Sequence, residues 1–80
     1  MPTVLRVDGY RFFFFSLEGT EPPHIHVEKA ERYAKAWLTP VVLAKSRGFR
    51  TDEISDTLWL VRKHRAEFLE RWHESFNTSS

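Results

Sequence analysis

The chain contains no cysteine, so no disulfide can staple it and no thiolate can bind a metal or attack a substrate. It has three glycines in 80 residues, which limits the sites where the backbone takes positive φ easily. No apolar run approaches the roughly 20 residues of a membrane-spanning helix. The opening Met1-Pro2-Thr3-Val4-Leu5-Arg6 lacks the layout of a signal peptide. These absences lead us to expect a cytoplasmic protein with no membrane association. Charge of one sign is also lacking. Twelve Lys and Arg against eleven Asp and Glu leave a formal net charge of +1, so any nucleic-acid binding has to come from local clustering.

Aromatic residues, by contrast, are plentiful: seven Phe, three Trp and two Tyr. Large rings let a short chain bury much area per residue, and core filling is their first use. One domain over residues 1–76 is expected, with 77–80 as a disordered tail. A domain this small buries only about 60% of the surface of its unfolded chain.

The first half reads as strands. Asp8-Gly9 is a strong hairpin signal, because a type I′ turn needs positive φ at both central residues. A two-residue loop there pairs Val7 with Tyr10 and Leu5 with Phe12. Phe12-Phe13-Phe14-Phe15 is apolar on both faces, which places its strand inside the sheet. Ser16 to Pro23 reads as a polar loop. Pro22-Pro23 marks a strand start, since proline cannot donate to a ladder. The next hairpin runs from His24 to about Leu38, turning near Lys29-Ala30 and pairing His26 with Tyr33 and His24 with Lys35. One face then carries Ile25, Val27, Ala34, Ala36 and Leu38, which belong on a core. The other carries His24, His26, Tyr33, Lys35 and Trp37, a polar-aromatic set expected to be at least partly open.

Val41 to Ala44 reads as a last edge strand, and Lys45 to Arg50 as a basic loop. Thr51 is a suitable helix cap, with Asp52 and Glu53 favouring the positive helix end. Ile54, Leu58, Val61, Phe68, Leu69, Trp72 and Phe76 then recur at helical spacing. The expected fold is α+β: a small, mainly antiparallel sheet of four to five strands, with one long C-terminal helix packed on one face.

The word Pro22-Pro23-His24-Ile25-His26-Val27 is the chief candidate for chemistry. Period-two spacing puts both imidazoles on one face, where they could serve proton transfer, phosphate contact or metal binding. A zinc site needs three or four ligands. The third would have to come from Glu28, Glu18, Glu21 or a helix histidine. His64 and His73 lie about 180° apart on the helix wheel and cannot share one site. We therefore expect no metal and no cofactor. His-apolar-His also resembles the start of the histidine-triad hydrolase motif, but Glu28 stands at the third histidine position. Lys35, Arg47 and Arg50 could hold phosphate charge, while Tyr33 and Trp37 could stack. Trp59 and Leu60 fall off the main helix stripe and form a candidate interface for a homodimer or a protein partner.

Several words extend this reading. Pro2-Thr3-Val4-Leu5-Arg6, Gly9-Tyr10-Arg11-Phe12-Phe13-Phe14 and the double-proline, double-histidine word come first. Ala34-Lys35-Ala36-Trp37-Leu38, Arg47-Gly48-Phe49 and Trp72-His73-Glu74 follow. Together they resemble a family of small bacterial and archaeal proteins labelled domain of unknown function 4160, over nearly the full length. Thr39-Pro40-Val41-Val42 departs from it in being more apolar than the charged residues expected there. The gene arrangement of that family, beside a second small domain, is similar to toxin–antitoxin pairs. The resemblance implies an antitoxin-like protein partner and an RNA or DNA target, and it carries no catalytic assignment. From sequence the function is therefore a toxin–antitoxin-like component that binds a protein partner and nucleic acid. A small histidine-dependent hydrolase or nuclease using His24 and His26, a metal-binding protein and a pure interaction module are the alternatives.

Overall fold

A computed structural model describes residues 3–15 and 20–76. The loop residues 16–19, Glu18 among them, and the tail 77–80 lie outside the described residues. Five strands come first: β1 (Thr3–Val7), β2 (Tyr10–Phe13), β3 (His24–Lys29), β4 (Arg32–Leu38) and β5 (Val41–Arg47). Two helices follow, α1 (Thr51–Lys63) and α2 (Arg65–Phe76). The sheet order is β1-β2-β3-β4-β5 and every neighbouring pair is antiparallel. The α+β architecture is as expected. No helix among the described residues is long and apolar enough to cross a membrane.

Turn chemistry explains the hairpins. Asp8 and Gly9 both take positive φ, 51° and 84°, and pair Val7 with Tyr10 and Leu5 with Phe12. Thr39-Pro40, with a cis peptide bond, forms the two-residue loop between Leu38 and Val41. Between β3 and β4 the turn is Ala30-Glu31, flanked by the pair Lys29 and Arg32. That lies one residue beyond the expected turn, so the register moves by two: His26 pairs with Lys35, His24 with Trp37 and Glu28 with Tyr33. A shift of two keeps every side chain on its expected face. No glycine or asparagine marks this turn. Ala30 itself takes φ 55°.

β5 runs through residues expected to form a loop. Tyr33 pairs with Arg47 and Lys35 with Lys45, but Ala36 pairs with Leu43, which leaves Ala44 as an extra residue. This bulge changes the phase of the strand. Lys45 and Arg47 share a face with Lys35 and Tyr33, whereas Val41 and Leu43 face the core beside Leu38 and Ala36.

Both helices pack over the face bearing Phe12, Ile25, Val27, Ala34, Ala36 and Leu38, all at most 1% exposed. Phe12 meets Phe68 at 5.2 Å between ring centres, and Phe14 meets Trp72 edge-on at 5.4 Å. The single long helix of the sequence reading is two helices, broken at His64. His64 takes φ −105° and ψ 14°, outside helical values. At the break, the Arg65 guanidinium donates to the Leu38 carbonyl and to Thr39 Oγ1, tying the chain to the end of β4. The break divides the expected helix into segments of 13 and 12 residues. The N-cap of α1 is Arg50 rather than Thr51. Its backbone N–H donates to Glu53 Oε1 at 3.0 Å.

Candidate functional site

Strand pairing arranges the face opposite the helices in cross-strand rows. One row is Arg11, Glu28, Tyr33 and Arg47, on β2, β3, β4 and β5. The next is Phe13, His26, Lys35 and Lys45. Around the first row lies an open concavity of about 670 Å³. Phe13 and Phe15 line it on one side, and Tyr33, Lys45 and Arg47 on the other, with Arg11, Glu28 and Arg32 between.

Two of its four cations are neutralised. Arg11 donates to Glu28 Oε1 at 2.7 Å and Arg32 to Glu53 Oε2 at 2.6 Å. Lys45 and Arg47 have no carboxylate partner among the described residues. Their charged groups each lie 5.9 Å from the centre of the Tyr33 ring. Beneath, Tyr33 stacks on His26 at 5.8 Å, and its hydroxyl is hydrogen-bonded to His26 Nδ1 at 2.6 Å. Phe15, 37% exposed, meets His26 edge-on at 4.4 Å. The result is a positively charged hollow with a fixed tyrosine in its wall and an accessible phenyl ring at its side. Such a surface holds phosphate and stacks planar rings.

The histidines are placed otherwise than expected. The face they share was expected to be open, yet His24 is fully buried and His26 is 3% exposed. Trp37 and Trp72 pack around His24 at 5.5 and 4.8 Å, so α2 closes the end of the sheet where β3 begins. His24 Nδ1 lies 2.9 Å from the Pro22 carbonyl oxygen. A carbonyl oxygen only accepts, so this nitrogen carries the proton. His26 touches the concavity through Tyr33 and the two phenylalanines. Among the described residues, no three His, Cys, Asp or Glu side chains group as a metal site requires.

The other expected residues divide. Tyr33 and Arg47 line the concavity; Lys35, Trp37 and Arg50 do not. Lys35 Nζ bonds Glu21 at 2.8 Å and lies 4.6 Å over the Trp37 ring. That bond holds the Glu21 carboxyl below the usual carboxylate range. Arg50 caps α1, and its guanidinium sits 3.3 Å from Asp52. Of the expected interface pair, Trp59 is 58% exposed, whereas Leu60 is 6% exposed and belongs to the core. The buried face of α1 runs through Thr57, Leu60 and Val61, and the apolar stripe left out its polar member Thr57. Arg11, Phe13 and Phe15 escaped the sequence reading as site residues, and Lys45 entered it only within the basic cluster with Arg47 and Arg50. The signal for the first three was present, since Arg11, Phe13 and Phe15 alternate with the core residues Phe12 and Phe14.

Residues 9–73 match the model of the family described as Domain of unknown function (DUF4160). The chain belongs to that family. No curated protein and no solved structure matches it. The matched segment of this DUF4160 protein contains β2 to β5, so it includes every strand that contributes to the two rows.

Proposed function

We propose that this small cytoplasmic protein is a binding component of a toxin–antitoxin-like pair, and that it takes single-stranded nucleic acid on the outer face of its sheet. The observation that carries this reading is the pair Lys45 and Arg47, side by side over Tyr33 and without carboxylate partners among the described residues, in a hollow with an exposed phenyl ring. Phosphates would be held by the two cations, and a base would stack on Phe15. An unpaired strand offers splayed bases to such a surface, which a duplex does not.

Burial of the histidines supports binding over hydrolysis. A general base must come within hydrogen-bond reach of its substrate, and His24 is enclosed on all sides. His26 then serves to hold Tyr33 rather than to meet a phosphate. For the antitoxin-like protein partner, the feature in favour is Trp59, exposed on the outside of α1 beside Lys63 at 5.1 Å. A second copy of the chain could use the same tryptophan, and a molar mass that rises with concentration would indicate it.

Fluorescence anisotropy with labelled single-stranded RNA and DNA oligonucleotides tests the main reading. The wild type should bind more weakly as salt rises, with a log–log slope of about −1.4 for two phosphate contacts. Lys45→Glu with Arg47→Glu should abolish binding while leaving the melting temperature unchanged. Binding that survives this double reversal sinks the reading.

A further inference from the structure

A site that held phosphate alone would gain nothing from a carboxylate at its centre, yet Glu28 stands there. It occupies the middle of the row Arg11–Glu28–Tyr33–Arg47, directly opposite Arg11 on one side and Tyr33 on the other. Its position is fixed. Arg11 Nη1 donates to Glu28 Oε1 at 2.7 Å, while Arg11 Nε donates to Thr3 Oγ1 at 2.8 Å and its guanidinium lies 4.4 Å over the Phe13 ring. The Glu28 side chain nevertheless stays 43% exposed and lines the concavity. An ion pair this open adds little stability, so stability alone is a weak reason for a carboxylate at this point. One bond from Arg11 uses one of about four acceptor positions on an ionised carboxylate. What remains is an acceptor of fixed direction within a cationic hollow. It repels phosphate and attracts N–H donors.

Resting on the nucleic-acid reading above, we propose that Glu28 reads the base: it accepts from the Watson–Crick edge of guanine and disfavours uracil. Guanine presents N1–H and N2–H side by side, and both can donate to one carboxylate. Adenine and cytosine present one amino group each. Uracil presents a single N–H flanked by two carbonyl oxygens, which the carboxylate repels. With the base stacked on Phe15 and its phosphate on Lys45 and Arg47, Glu28 is the acceptor that Arg11 holds in a fixed direction on a wall that Glu31 also lines. The site is then selective among single strands rather than a general phosphate surface.

Four labelled RNA octamers test this: all-uridine, and uridine with one central guanosine, adenosine or cytidine. Wild type should bind the guanosine octamer about tenfold more tightly than the all-uridine one, the scale of one bidentate base contact. Glu28→Gln keeps an acceptor for Arg11 but loses the paired carboxylate oxygens. It should bring the ratio below about twofold without weakening the all-uridine octamer. Equal binding of all four octamers by wild type overturns base reading and leaves the phosphate site standing. Uniform weakening of all four in Glu28→Gln also overturns it, because Glu28 then merely supports Arg11. Failure of every octamer to bind wild type overturns the nucleic-acid reading itself. A thermal melt of Glu28→Gln confirms that the variant compared is folded.

Discussion

The two faces of the sheet are made from alternate residues of the same strands, yet they do opposite work. Phe12, Ile25, Val27, Ala34, Ala36 and Leu38 lie under the helices and contain no ionisable group. Arg11, Glu28, Tyr33, Lys45 and Arg47 lie on the other side around an open hollow. Stability is concentrated on the first face, and the recognition we propose is on the second. The boundary is not drawn by parity alone. His24 and His26 belong to the outer set by position, but Trp72 of α2 and the phenylalanines at the end of β2 enclose them. The histidine word thus acts as the floor of the outer face, and the charged groups beyond it act as its surface.

That division can be broken experimentally. Phe12→Ala should cost about 3–5 kcal/mol, as truncation of a fully buried phenyl ring does, whereas Phe15→Ala should cost under about 1 kcal/mol. Urea denaturation of the two variants measures the contrast, and equal losses would erase it. His24→Ala should cost about 2–3 kcal/mol through the cavity left between Trp37 and Trp72. If it melts like wild type but loses binding, the histidine belongs with the working surface after all. Lys45→Glu with Arg47→Glu should change stability by less than about 0.5 kcal/mol while removing binding, which melting and anisotropy on the same samples would show. Ala30→Gly should raise stability by about 1 kcal/mol, because it relieves a side chain held at φ 55°. A lower denaturation midpoint would mean that chain entropy outweighs the strain.

The smallest effect concerns acid. Lys35 holds the Glu21 carboxyl below its ordinary range, so the pair stabilises the fold above the unfolded carboxylate value. That contribution is lost as pH falls through the lower, folded value. Glu21→Gln should therefore differ from wild type in denaturation midpoint at pH 7, and the difference should shrink as the pH falls through the folded value. A difference that does not change as the pH is lowered would assign the stability to packing instead.

Much of the strand plan was legible in the residues. Asp8-Gly9 names its own turn, and the register of the first hairpin followed from it. The second hairpin lacked such a marker, because Lys29-Ala30-Glu31-Arg32 offers no residue that prefers positive φ. Its register came out two residues away, and the faces survived because side chains repeat every two positions. The helix break was invisible, since neither glycine nor proline stands near His64. At the break the chain is tied by a long-range bond from Arg65 to Leu38, a contact no local signal announces. The same limit hid the enclosure of His24, which depends on Trp72 on a distant helix. Of the site, Tyr33 could be read from alternation, and Arg47, aimed outward by the same bulge as Lys45, could be read only as part of the basic loop. Lys45 could be read only as part of a basic cluster, because the bulge at Ala44 that aims it outward leaves no mark in the sequence.

That bulge bears on how copies of the chain behave toward one another. β5 is an edge strand with Val42 48% exposed, and a straight edge of that kind is a template for strands of other molecules. The extra residue kinks the edge midway, and the two cations beyond it would meet any strand laid alongside. Deleting Ala44 would straighten the strand while leaving Lys45 and Arg47 opposite Lys35 and Tyr33 on the outer face. The expected result is aggregation at concentrations where the wild type stays clear, with the outer-face cations kept.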